Sequence, residues 1–289
     1  MKEKYVKLAA LAVTIVVAVA TSFAGVPLNN LQGTGGIAFN PLAYTAGKAW
    51  EYDGTTNLNG IVSSPQIGGW YVHLDDADID WFAVSASLTL LDRLEFSYGY
   101  GFVNAKKYGD KSIDSNNIGA KLKILDENAF DTAWVPAIAA GVVYKRTNSK
   151  TVKALGLDND GFDYYLVASK LITQTPIPVL VSAGVLYSDE VVNGVVGHNH
   201  YGVSCFGNID IIPAENIAIG FEYKKGVDAG DHITNHDYYD GHVAWFATER
   251  LTLVAAYAYT GDKDKFYSGG STRDLGVGGG FVLSMQYQF

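Results

Sequence analysis

Ionisable side chains recur at every second position in several stretches of this chain, always on the face opposite large apolar residues. Glu95 sits between Leu94 and Phe96, and Lys121 and Lys123 alternate with Ala120, Leu122 and Ile124. Glu222 and Lys224 alternate with Phe221 and Tyr223. Asp240 and His242 lie in the stretch 239–245, Arg250 precedes the alternating run Leu251–Tyr259, and Lys145 follows Tyr144. Side chains two apart on a strand share one face. Closed into a ring, such a face becomes a wall with charges of both signs. Opposed charges on a narrow wall impose a transverse field that orients small polar solutes, while the ring radius sets a size limit. The same charges can instead pair with one another and plug the interior, and both arrangements are open on the sequence.

Other chemistries are weaker. Five of the six histidines lie between His198 and His242. His198 and His200 sit near one strand end, and His232 and His236 share a loop with Asp228, Asp231 and Asp237. Imidazole and carboxylate together suit zinc, copper or pH sensing, but no compact ligand spacing fixes a geometry, so they read as solvated loop residues and no metal is assigned. Asp158-Asn-Asp-Gly161 with Asp163 is half a calcium loop without the closing Glu, and reads as an acidic turn. His200 and Ser204 share a face but lie about 13 Å apart along it, too far for a hydrolytic pair. No nucleophile elbow, zincin, phosphate-loop or haem-attachment motif occurs. The chain is read as a non-enzyme without a cofactor. Cys205 has no partner for an intramolecular disulfide and is expected to be a small buried hydrophobe.

Strands must position these residues, because period-two alternation dominates and no helical period persists. Strands are expected near 66–74, 78–91, 93–104, 116–127, 134–147, 161–172, 178–189, 199–212, 216–226, 236–248, 250–261 and 276–289. Short turns near Asp92, 126–133, Thr173–Pro178, Pro213–Asn216 and Glu249 alternate with longer polar loops, the rhythm of outer-membrane barrels. The expected fold is all-β: a closed antiparallel transmembrane β-barrel of about twelve strands spanning 66–289. Aromatics sort by height, with Tyr100, Tyr144, Tyr187, Tyr201, Tyr223, Tyr239 and Tyr259 at one level. Trp134, Trp245, Tyr287 and Phe289 lie at the other, as two interfacial girdles.

Residues 1–24 read as a cleaved signal peptide: Lys2, Lys4 and Lys7, an apolar run Leu8 to Ala20, and Ser22-Phe23-Ala24. The run is shorter than the roughly 20 residues of a spanning helix. Removing it takes Lys+Arg from 21 to 18 and Asp+Glu from 30 to 29, so the net charge moves from −9 to −11. Nucleic acid is a poor partner for so acidic a chain. Residues 25–65 break the strand rhythm with Gly33-Thr34-Gly35-Gly36 and Asn40-Pro41. Ile37, Phe39, Asn40, Pro41 and Tyr44 mark this Gly-rich segment as a candidate plug, with a periplasmic tail or an extra strand as alternatives.

Ile118-Gly-Ala-Lys-Leu-Lys123, Trp134-Val-Pro136 with Gly141 to Lys145, Asp163-Tyr-Tyr-Leu-Val-Ala-Ser-Lys170, Gly220-Phe-Glu-Tyr-Lys224 and Tyr239-Asp-Gly-His-Val-Ala-Trp245 together resemble a family of Gram-negative outer-membrane proteins known only as a domain of unknown function. Gly33–Ala43 is similar to that family's amino-terminal region, with Asn40-Pro41-Leu42 in place of Thr-Pro-Trp. The alternating end Phe281, Leu283, Met285, Tyr287, Phe289 resembles the terminal strand that the barrel-assembly machinery recognises. The resemblance implies an outer-membrane location among lipid and lipopolysaccharide. The expected function is a passive or weakly selective channel for small polar or charged solutes. Alternatives are a hydrophobic-compound transporter with an N-terminal luminal hatch, which Asn40-Pro41 resembles, and a non-transporting scaffold for a partner protein.

Overall fold

The computed structural model describes residues 28–47, 61–106, 111–154, 158–190, 197–226, 233–234, 236–261, 273–274 and 277–289. The segment 1–24, with His232, Asp228 and Asp231, lies outside them, as do the side chains of His198 and His200. Twelve strands form the barrel: β1 Gln66–Leu74, β2 Ile79–Leu90, β3 Leu94–Ala105, β4 Lys111–Leu125, β5 Ala137–Arg146, β6 Asp160–Ile172, β7 Val179–Glu190, β8 Gly197–Ala214, β9 Ile217–Lys224, β10 Tyr238–Phe246, β11 Leu251–Tyr259 and β12 Gly279–Gln288. Each pairs antiparallel with its neighbour in sequence, and β12 closes on β1 with Gly280 opposite Leu74 and Gln288 opposite Gln66. A Cβ on Gly280 would lie 1.7 Å from the His73 carbonyl oxygen, so glycine is what allows the closing strands to approach. Closure leaves no unpaired edge, as spanning a membrane with strands requires.

Alternation sets which face meets lipid. In β3, Phe96, Tyr98, Tyr100 and Phe102 are exposed while Glu95, Ser97, Gly99 and Gly101 are buried. In β12, Phe281, Leu283, Met285 and Tyr287 point outward, and Val282, Ser284, Gln286 and Gln288 inward. The tight turn between β2 and β3 takes Leu91 and Asp92 to φ of 52° and 54°, the left-handed pair that matches strand twist in short hairpins. An apolar exterior on a closed barrel belongs in lipid, and the protein is an outer-membrane β-barrel. Cys205 departs from expectation: it lies exposed on this exterior, because the inward positions of β8 are Ser204 and Phe206.

The interior is not uniformly polar. Along β1 and β2 the inward residues of the long-loop half are Trp70, Val72, Leu74, Ile79, Trp81 and Ala83, all buried. Toward the short turns they become Gln66, Ser85, Ser87 and Thr89. Residues 28–47 lie inside the barrel. Leu28, Leu31, Ile37, Phe39 and Leu42 join the apolar wall residues in one buried cluster, so the core is built between segment and wall.

Candidate functional site

The densest chemistry in the lumen is where wall charges meet the backbone of residues 28–47. Glu95 and Lys121 stand opposite each other on β3 and β4, with Nζ 2.9 Å from Oε2 and both side chains sealed from solvent. The remaining capacity of each goes to the segment. The N–H groups of Gly35 and Ala46 donate to the two Glu95 oxygens at 2.8 and 2.7 Å. Lys121 Nζ donates to the carbonyls of Gly35 and Tyr44 at 2.9 and 2.6 Å. A buried ion pair is tolerable only when such additional bonds satisfy it. Gly35 is the contact point: a Cβ there would sit 2.6 Å from Glu95 Oε2 and 2.9 Å from Lys121 Nζ.

A second anchor lies across the lumen. The Glu222 carboxylate accepts the N–H groups of Ala38, Phe39 and Asn40 at 2.9, 3.0 and 3.2 Å. Three successive amides converging on one carboxylate form an anion nest. Asn40 Nδ2 donates to the carbonyls of Gly207 and Tyr223 at 3.1 and 3.0 Å. Beside Glu222, His242 bridges two carboxylates: Nδ1 is 2.7 Å from Asp240 Oδ1 and Nε2 is 2.7 Å from Asp210 Oδ1. Each ring nitrogen therefore faces a carboxyl oxygen, one on either side of the imidazole. Gly220 makes the room, since a Cβ there would fall 2.2 Å from Asp210 Oδ1. Ligand atoms of Glu222, Asp240 and His242 lie within 4.8 Å of one another. In this arrangement both imidazole nitrogens and the Glu222 oxygens make hydrogen bonds.

Further bonds tie the segment around the ring. Trp70 Nε1 donates to the Asn29 carbonyl at 2.7 Å, Ser87 Oγ to Asn29 Oδ1 at 2.6 Å, and Thr89 Oγ1 to the Ala46 carbonyl at 2.6 Å. Gln286 Nε2 donates to the Asn29 carbonyl, and the Ala43 N–H to Ser169 Oγ. Tyr44 Oη donates to Glu127 at 3.0 Å; burial and that carboxylate push the phenol well above its usual range.

The remaining sequence candidates divide by height. Lys145 pairs with Asp163, both buried, and Lys224 is buried on the inner face of β9. Lys123 faces the same way but reaches the short-turn rim, bonding Asp92 and Asp126 at 2.8 and 3.0 Å. Arg250 is a correction: it is exposed in the turn before β11, because the strand begins at Leu251. The acidic run also comes apart. Asp158 and Asp160 are exposed, whereas Asp163 is turned inward beside Lys145. Ile37, Phe39, Asn40, Pro41 and Tyr44 are all brought together in the lumen, with Ile37, Phe39 and Asn40 buried. Sequence reading missed Asp163 and Asp210 as wall charges. The signal was present: Asp163 alternates with Phe162 and Tyr164, and Asp210 with Ile209 and Ile211.

Known structures share the barrel. The KdgM porin aligns with a TM-score of 0.50 at 13% identity, over 78% of this chain and 99% of its own. The NanC porin gives 0.49 at 8% identity over 78% and 99%, and Omp33 of Acinetobacter baumannii 0.42 at 12% over 80% and 100%. At 13% identity the likeness to the KdgM porin is one of fold. No curated protein matches the chain in sequence. The family described as "Protein of unknown function (DUF3034)" matches residues 25–267, which takes in the luminal segment and nearly all of the barrel. The chain belongs to that family.

Proposed function

We propose that this protein is an outer-membrane channel that rests closed, with residues 28–47 as a luminal hatch, and that it passes small polar or charged solutes when the hatch is displaced. The observation that carries this is the use made of Glu95, Lys121 and Glu222. Their hydrogen bonds run to backbone amides and carbonyls of the segment, so the charged part of the wall grips the segment by its main chain. With the segment withdrawn, the same groups would stand on an open wall carrying both signs of charge, the arrangement that orients small polar solutes. The lipid-facing β12 would serve as the signal for the barrel-assembly machinery.

Planar-bilayer recording tests the hatch. The natural protein should give rare, small conductance steps. Glu95→Ala with Glu222→Ala should give frequent, larger steps whose ion selectivity changes when Lys121 and Lys123 are neutralised. A folded double variant that stays silent would overturn the proposal.

A further inference from the structure

The lumens of membrane barrels are ordinarily polar, yet the long-loop half of this one holds a cavity of about 130 Å³ with no polar lining surface. Val72, Trp81 and Val103 form its walls, Ala258 and Ala105 line it with small side chains, and Phe39 of the luminal segment contributes one side. Phe39 is itself held in place. Its N–H donates to Glu222 at 3.0 Å, and its ring lies 6.0 Å from that of Tyr238 at an interplanar angle of 54°.

Protein interiors rarely leave voids larger than a water molecule, because the lining atoms lose dispersion contacts. Water is a poor occupant here, since it needs two to four polar partners, and although Tyr238 and Thr260 also line the space, no polar atom faces it. An apolar cavity of about 150 Å³ is known to stay dry and to accept benzene, so the space matches a single ring. A charged or strongly hydrogen-bonding guest would leave its polar atoms unpaired.

We infer that this cavity is a binding site for a small uncharged apolar molecule, of the size of one six-membered ring or an equivalent branched alkane. Ala105 and Ala258 are specificity-determining, because their small side chains make the volume. The site stands apart from gating: it requires the segment in place but not its movement.

The test is fluorine NMR of fluorobenzene added to the full chain in lipid nanodiscs, with empty nanodiscs as reference. A saturable protein-bound signal is expected, displaced by benzene and not by benzoate. Binding should be at least tenfold weaker in Ala258→Leu and Ala105→Leu, each checked for folding by its heat-dependent gel mobility. Uptake equal to that of empty nanodiscs would overturn the site, as would uptake unchanged by either filling variant. Displacement by benzoate as effective as by benzene would overturn the apolar class, and that arm needs no variant. Conductance plays no part in these readouts, so the site and the hatch stand or fall separately.

Discussion

Glu95 and Lys121, opposite each other on β3 and β4 and 2.9 Å apart, hold the luminal segment at two places: Glu95 takes the N–H of Gly35 and of Ala46, and Lys121 the carbonyls of Gly35 and Tyr44. One cross-strand pair thereby fixes residues eleven positions apart in the segment.

Removing one partner of this pair strands a buried charge, which costs about 3–5 kcal/mol where a buried pair is broken. Lys121→Met should therefore destabilise the protein by that order in denaturant unfolding. Adding Glu95→Gln should recover much of the loss, because no unpaired charge then remains at this site. A double variant as unstable as Lys121→Met alone would show that the pair does not act as a unit.

Gly99 and Gly33 bring the segment directly against the wall. A Cβ on Gly99 would lie 2.4 Å from the Gln32 carbonyl oxygen, and one on Gly33 2.8 Å from the Tyr98 carbonyl carbon; Gly33 also adopts φ of +96°. Gly99→Val should push the segment out while the barrel, whose ladder it does not interrupt, stays closed. Proteinase K should then cut within residues 28–47 of the variant at least tenfold faster than in the natural protein. Equal resistance in a folded variant would mean that the segment tolerates the added volume.

Gly220 spaces the Asp210–His242 contact. Gly220→Ala forces its methyl to within 2.2 Å of Asp210 Oδ1 and 2.6 Å of His242 Nε2. Overpacking of this kind costs about 1–3 kcal/mol, and here it also opens a charge-assisted bond. Thermal unfolding should shift down accordingly. Gly241, whose Cβ would have nothing within 4 Å, is the control, and Gly241→Ala should leave the midpoint within experimental error.

At the short-turn rim, partial burial works to raise the Asp126 carboxyl, but the Lys123 ammonium and the Arg93 guanidinium, 3.0 and 2.5 Å away, outweigh it and hold the group below its ordinary range. A depressed folded value means that the contribution is present above the unfolded value, about 3.9, and lost as pH falls through the folded one. Asp126 and Arg93 are about half exposed, so solvent screens the interaction and the effect is small. Unfolding midpoints of the natural protein and Asp126→Asn should differ slightly at neutral pH and converge as pH falls through the depressed folded value. A difference that persists unchanged into acid would rule out this linkage.

Much of the barrel was legible because its code is local. Phe96, Tyr98, Tyr100 and Phe102 against Glu95, Ser97, Gly99 and Gly101 announce both a strand and its lipid face, and all twelve expected strands appear within a few residues of their places. Alternation also named Glu95, Lys121, Glu222, Asp240 and His242 as inward groups. It erred at Arg250, where a turn of four residues decides whether the alternating face has yet begun. On β1 and β2 it could not tell that Trp70, Val72, Ile79 and Trp81 line the interior, since both faces of those strands are apolar.

By itself, then, the sequence determined the barrel, its strand positions and the location in lipid, since each follows from side chains two residues apart. What the inward charges face was decided only by tertiary structure. Glu95 and Ala46 are 49 positions apart, Glu222 and Ala38 184, and no spacing rule connects such pairs. They meet because ring closure surrounds residues 28–47 with wall, and a buried carboxylate must then find the nearest backbone amides in place of water.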